Sequence, residues 1–145
     1  MNLETINRIE TQVGSPFYVM NPDLYELNVR AFADAFRKYY DKIIIGYSFK
    51  TNYVPALCLR AKQIGCYAEV VSAMEMDIAL GLGFEKIIFN GPIKRKDALV
   101  RAIEHRAIIN IDAEYEVDFQ KNCCFFRRII GYGKCRCNDG AVGVC

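Results

Sequence analysis

The stretch Ile43-Ile44-Ile45-Gly46-Tyr47-Ser48-Phe49-Lys50-Thr51-Asn52 decides the fold. Its apolar run, Ile43 to Ser48, reads as a strand, and successive strand side chains point to opposite faces. Ile43, Ile45, Tyr47 and Phe49 share one face, bulky and apolar. Ile44, Gly46, Ser48 and Lys50 share the other, which turns small and polar toward the C-terminal end. Pro55 to Ile64 follows with helical character and is ended by Gly65.

The same unit recurs downstream. Tyr67 to Val71 reads as a strand and Ala73 to Leu82 as a helix ended by Gly83. Lys86 to Asn90 and Arg95 to Arg106 form the next pair. Ala107 to Ile111 is a further strand, with a helix starting at Ala113. Strands alternating with helices through short Gly-containing links give a parallel sheet. The strand ends fall near Lys50, Ser72, Pro92 and Asp112, a βα unit roughly every two dozen residues, the compact repeat of a barrel.

A doubly wound open sheet and a (β/α) barrel both fit this rhythm. Central strands of an open sheet are buried on both faces and more uniformly apolar. Here Glu69 shares a face with Tyr67 and Val71, and Ile108, Asn110 and Asp112 share another. Polar groups converging at strand C-termini mark a barrel mouth. The pattern favours the barrel over the open sheet, and the expected fold class is α/β, a partial (β/α)8 TIM-type barrel of about the first four βα units.

Upstream, Glu4 to Val13 places Ile6, Ile9 and Val13 on one face of a short helix, stopped by Gly14-Ser15-Pro16. Phe17-Tyr18-Val19 reads as a short strand. Asp23 to Tyr40 reads as a long amphipathic helix through Leu24, Leu27, Phe32, Ala35, Phe36 and Tyr39.

The 145 residues suit one domain, and 52% apolar with 25% charged residues is the composition of a soluble globular chain. A net charge of +2 gives no electrostatic argument for nucleic acid or membrane as a partner. The N-terminus lacks the pattern of a signal peptide, and no segment approaches the roughly 18–20 apolar residues of a membrane span. A cytoplasmic location is the expectation, and the odd count of seven cysteines argues against a disulfide framework.

After about Phe119 the pattern changes. Lys121 to Ile130 has neither helical nor strand periodicity, and Gly131 to Gly140 is turn-rich and basic. Residues 1–118 thus read as the barrel part and residues 119–145 as an irregular, basic, Cys-rich tail. A frameshift or truncated reading frame would produce such a change. Cys123-Cys124 and Cys135-Arg136-Cys137 do not match the two spaced pairs of a zinc site, so no metal is expected.

Lys50 carries the chemistry. A carbonyl cofactor such as pyridoxal phosphate is held by a lysine Schiff base, and the amine must be able to lose its proton. The end of an inward-facing barrel strand above Gly46 and Ser48 supplies room for a ring. On local features alone, a solvated lysine capping a strand is the favoured reading of Lys50.

The segments Tyr47 to Asn52, Tyr67 to Glu75, Ile88 to Lys94 and Asn110 to Asp112, with Ser15 to Val19 before them, resemble the N-terminal half of the fold-type III pyridoxal-phosphate decarboxylases. These are the diaminopimelate, ornithine and arginine decarboxylases with an alanine-racemase-like barrel. The resemblance covers roughly residues 14–118. It implies pyridoxal 5'-phosphate as cofactor, an amino-acid substrate and a homodimer. It makes Lys50 the Schiff-base and catalytic lysine and Glu69 a cofactor-binding carboxylate, where the family commonly has Asp.

By the same resemblance Ser48, Asn52, Glu75, Asn90 and Asp112 are candidates to line the site. Glu75 could also be a helix N-terminal charge, and Asp112 an N-cap. Asn90 and Lys94 could also be a strand end and a solvated helix start. The family's phosphate loop, ring-stacking histidine and substrate-selecting residues lie further along its chain. The only histidine, His105, reads as a surface residue. The resemblance implies an amino-acid decarboxylase portion, incomplete as written and expected to be unstable alone. The alternative is a non-catalytic barrel fragment that pairs with a full-length homologue.

Overall fold

The computed structural model describes residues 2–121, and the backbone of residues 134–136 and 142–144. The helices are α1 (Leu3–Val13), α2 (Pro22–Arg37), α3 (Pro55–Ile64), α4 (Ala73–Gly81), α5 (Lys96–Glu104) and α6 (Glu114–Lys121). The strands are β1 (Gly46–Ser48), β2 (Tyr67–Val70), β3 (Ile87–Phe89), β4 (Ile108–Ile109), β5 (Lys134–Arg136) and β6 (Val142–Val144).

Strands β1 to β4 form a parallel sheet in the order β1-β2-β3-β4. The register sets Ser48 beside Glu69, Glu69 beside Ile88, and Ile88 beside Ile108. Sequential parallel strands with a helix after each are the opening of a barrel, as the alternation implied. Strands β5 and β6 pair antiparallel in the tail, where three-residue strands carry too little alternation to read from sequence.

Helix ends follow their capping residues. Asn21 accepts from the amides of Asp23 and Leu24 at 3.1 and 3.0 Å and starts α2, with Pro22 in its first turn. Gly65 ends α3 in the left-handed region at φ +96°. Ser72 accepts from the Glu75 amide and starts α4.

The core lies on the helix side of the sheet. Ala68, Val70, Ile87, Phe89 and Ile109 pack against Cys58 of α3, Met76 and Ala79 of α4, and Leu99 and Ala102 of α5. Phe49 joins them, with its ring centroid 5.6 Å from that of Phe84. Full burial of rings such as Phe49 and Phe89 contributes about 1.5–3 kcal/mol each. The bulky face of β1 therefore faces the helices, and Gly46, Glu69 and Ile88 share the opposite face. A Cβ added at Gly46 would sit 3.3 Å from both Glu69 Cβ and Ile88 Cδ1.

Two expectations change. Residues 17–19 form no strand, and Tyr18 is fully exposed. An extended apolar run becomes a strand only when another strand supplies its hydrogen bonds, and none lies beside it among the described residues. Helix α2 forms, but its apolar stripe is largely uncovered: Leu24, Leu27, Phe32 and Phe36 are exposed and only Ala33 is buried.

Candidate active site

The chain leaves β1 through a tight turn. The Phe49 amide donates to the Glu69 carbonyl at 2.9 Å, extending the ladder one residue past the strand. The Thr51 amide then donates to the Ser48 carbonyl at 3.2 Å. Because Phe49 is anchored in the core, Lys50 lies at the strand exit and is exposed. Its amine enters no ion pair among the described residues.

Glu69 is half-buried on the inner face of the neighbouring strand, level with Ser48. Asn52 is exposed, and its side-chain carbonyl accepts from the Val54 amide at 2.9 Å, shaping the approach to α3. Behind β1, burial pushes the Tyr47 phenol and the Cys58 thiol up from their ordinary values. Both stay neutral at neutral pH.

Glu75 is buried at the start of α4. Its Oε2 accepts from the Val71 amide at 2.9 Å, while its own amide donates to Ser72 Oγ at 3.2 Å. This reciprocal pair is a form of the capping box, and it commits the carboxylate to the end of β2. Asn90 and Asn110 are half-buried at the ends of β3 and β4. Their amides donate to Val70 and Phe89 carbonyls at 2.8 and 3.0 Å.

Lys94 is buried rather than solvated, at 1% exposure. Its Nζ donates to the Gly91 carbonyl at 2.6 Å, to Asp112 Oδ2 at 3.1 Å, and to Glu116 at 3.1 Å. Asp112 is thus held in an ion pair at the exit of β4. The Lys94 amide donates to Tyr115 Oη at 2.7 Å, and that hydroxyl also lies 3.2 Å from Glu116. Glu116 and Tyr115 were not singled out from the sequence. The signal was there: Glu116 stands four residues after Asp112, as Glu75 stands four after Val71.

His105 is exposed, as expected. No group of His, Cys, Asp and Glu among the described residues could hold a metal ion. Cys123, Cys124, Cys135 and Cys137 lie outside the residues whose side chains are described. No helix among the described residues is long and apolar enough to cross a membrane.

The geometry is that of a barrel-type α/β domain with an amine and a carboxylate at the C-terminal mouth of its sheet. Residues 27–124 match the family described as "Pyridoxal-dependent decarboxylase, pyridoxal binding domain", and the chain belongs to that family. It covers the N-terminal, pyridoxal-binding part of the fold-type III decarboxylases, which use pyridoxal phosphate and act on amino acids.

Among curated relatives, the chain is 32% identical over 117 residues to a probable chloroplastic diaminopimelate decarboxylase of Oryza sativa, covering 77% of this chain and 24% of that one. It is 31% identical over 111 residues to the diaminopimelate decarboxylase of Methanocaldococcus jannaschii, covering 72% and 25%. The chain thus spans about a quarter of the length of these relatives. The crystal structure of the M. jannaschii enzyme superposes with a TM-score of 0.72 at 29% identity, over 79% of this chain and 28% of that one. Lysine decarboxylase of Selenomonas ruminantium has the same fold, with a TM-score of 0.72 at 20% identity over 99% and 37%.

Proposed function

We propose that this chain supplies the cofactor lysine and part of the pyridoxal-phosphate site of an amino-acid decarboxylase of diaminopimelate or ornithine type, with Lys50 as the catalytic lysine. The observation that carries this is the position of Lys50. It is an amine with no ion pair among the described residues, at the exit of the first barrel strand, two residues past Ser48, which Glu69 faces across the sheet register.

The residues present fit the group. At Gly46 the absence of a Cβ lets Glu69 and Ile88 pack close on the inner face, where an added Cβ would lie 3.3 Å from each. Lys50 would hold the cofactor through its amine and accept or return a proton at Nζ. Glu69 would orient it from β2, and Ser48, Asn52, Asn90 and Asp112 lie around the same mouth. Glu75 would act there through the backbone it caps. The bound cofactor would supply an electron sink for the carbanion left when carbon dioxide departs. The full site needs further chain, in a homodimer or with a longer homologue, since the matched segment is only about a quarter of these relatives.

A second reading has its own observation. The outer edges of β1 and β4 are unpaired among the described residues, and α2 exposes Leu24, Leu27 and Phe32. Open edges and apolar faces seek partners. On this reading residues 1–118 form a barrel portion that docks onto a full-length homologue in the cytoplasm, without catalysis of its own.

Titration of the purified chain with pyridoxal phosphate separates the readings. A visible absorption band that is lost in Lys50→Ala supports the cofactor site. Absence of a band, with co-purification of a longer homologue, supports the second reading.

A further inference from the structure

We infer that Lys94 is a positioning residue: together with Glu75 and Glu116 it ties the C-terminal ends of β2, β3 and β4 into one rim that is ordered before any cofactor arrives. The inference rests on reading that mouth as the cofactor site.

The rim is built from two matching hooks and a central grip. At the end of β2, Glu75 Oε2 accepts from the Val71 amide at 2.9 Å. At the end of β4, Glu116 Oε2 accepts from the Asp112 amide at 3.0 Å. In each, a glutamate in the first turns of a helix reaches back four residues to the strand exit.

Between the hooks, Gly91 runs tightly over β2. A Cβ on it would lie 3.0 Å from the Val71 carbonyl oxygen. The carbonyl of that same Gly91 receives the Lys94 ammonium at 2.6 Å. The other donors of Lys94 go to Asp112 and Glu116. The contacts thus run without a gap from Glu75 through Val71, Gly91 and Lys94 to Asp112 and Glu116.

Stability alone is a poor reason for this cluster. Burying an ammonium and a carboxylate is expensive, and apolar packing of the same volume often serves as well. What the cluster does supply is geometry. An ammonium has three N–H donors, and each meets an acceptor at a strand exit or in the segment that follows it. Asn90 directly precedes Gly91, and Asn110 lies two residues before Asp112. Holding Gly91 and Asp112 therefore fixes where both amide side chains stand at the mouth.

The test uses the full chain and compares Lys94→Met with the double variant Lys94→Met, Glu116→Gln. The double variant restores the cluster's net charge of −1 but not the grip. Amide hydrogen exchange and pyridoxal-phosphate affinity are both read. Lys94→Met is expected to speed exchange at Asp112 about tenfold and to weaken the cofactor about tenfold, with the Val70 and Ile87 amides unchanged. The double variant is expected to remain weak.

Full recovery of affinity in the double variant would mean charge compensation and overturn the inference, as would unchanged exchange in Lys94→Met. If the Lys94 variants do not fold, Tyr115→Phe decides. Loss of its hydroxyl is expected to speed exchange at the Lys94 amide about threefold, and no change overturns the inference. A wild-type chain that takes up no pyridoxal phosphate refutes the cofactor reading alone, the exchange results still deciding whether the rim is tied.

Discussion

Replacing Gly91 by alanine is expected to destabilise the chain by about 2–6 kcal/mol. Two contributions can be separated. Gly91 has φ +100°, a region that costs a residue with a Cβ about 1–3 kcal/mol. The new Cβ would also lie 3.0 Å from the Val71 carbonyl oxygen and 3.1 Å from Val71 Cβ. Val71 cannot easily give way, because Glu75 holds its amide at 2.9 Å, so overpacking adds about 1–3 kcal/mol. Gly65→Ala is the control. Its φ is +96°, but nothing lies within 4 Å of its added Cβ, so it carries the conformational cost alone. Urea unfolding of both variants, compared at equal slope, measures the difference. Gly91→Ala should be the worse by about 1–3 kcal/mol. Equal losses would refute the argument that the β3 exit is pressed against β2.

Other outcomes follow from the same structure. Ser72→Ala should cost about 1 kcal/mol in urea unfolding, through loss of the α4 cap. Phe89→Ala should cost about 3–5 kcal/mol, since the ring is fully buried beneath the mouth. Burial raises the thiols of Cys58 and Cys66 above 9.0 and the Tyr47 phenol above 10.0. As pH rises, these groups ionise first in the unfolded chain, so their contribution is complete below about pH 9 and is lost through the raised folded values. The urea midpoint should therefore be lower at pH 10 than at pH 7, and equal midpoints would contradict this.

Strand and helix order was legible because the core face of each strand is written in short-range alternation. Pro55 to Ile64 matches α3 residue for residue, and Tyr67 to Val71 matches β2 to within one residue. Phe17 to Val19 was misread because strand formation depends on a partner that local pattern does not specify. The burial of Lys94 was illegible for a related reason. Its acceptors Asp112 and Glu116 stand 18 and 22 residues away and meet it only once β3 and β4 are paired. Glu75 illustrates the intermediate case. Ser72-Ala73-Met74-Glu75 carries a capping-box pattern, yet only the structure shows that the carboxylate turns back to Val71.

The central claim concerns Lys50, and chemical trapping tests it most directly. The full chain is incubated with pyridoxal phosphate, reduced with borohydride, digested and mapped by mass spectrometry. Because Lys50 is exposed and has no ion pair among the described residues, its replacement by alanine should change stability by less than about 0.5 kcal/mol, so loss of label in that variant can be read without concern for folding. The expected result is label concentrated on the peptide containing Lys50 and absent from Lys50→Ala. Label spread evenly over exposed lysines such as Lys38, Lys42 and Lys86, unchanged in Lys50→Ala, would contradict the claim.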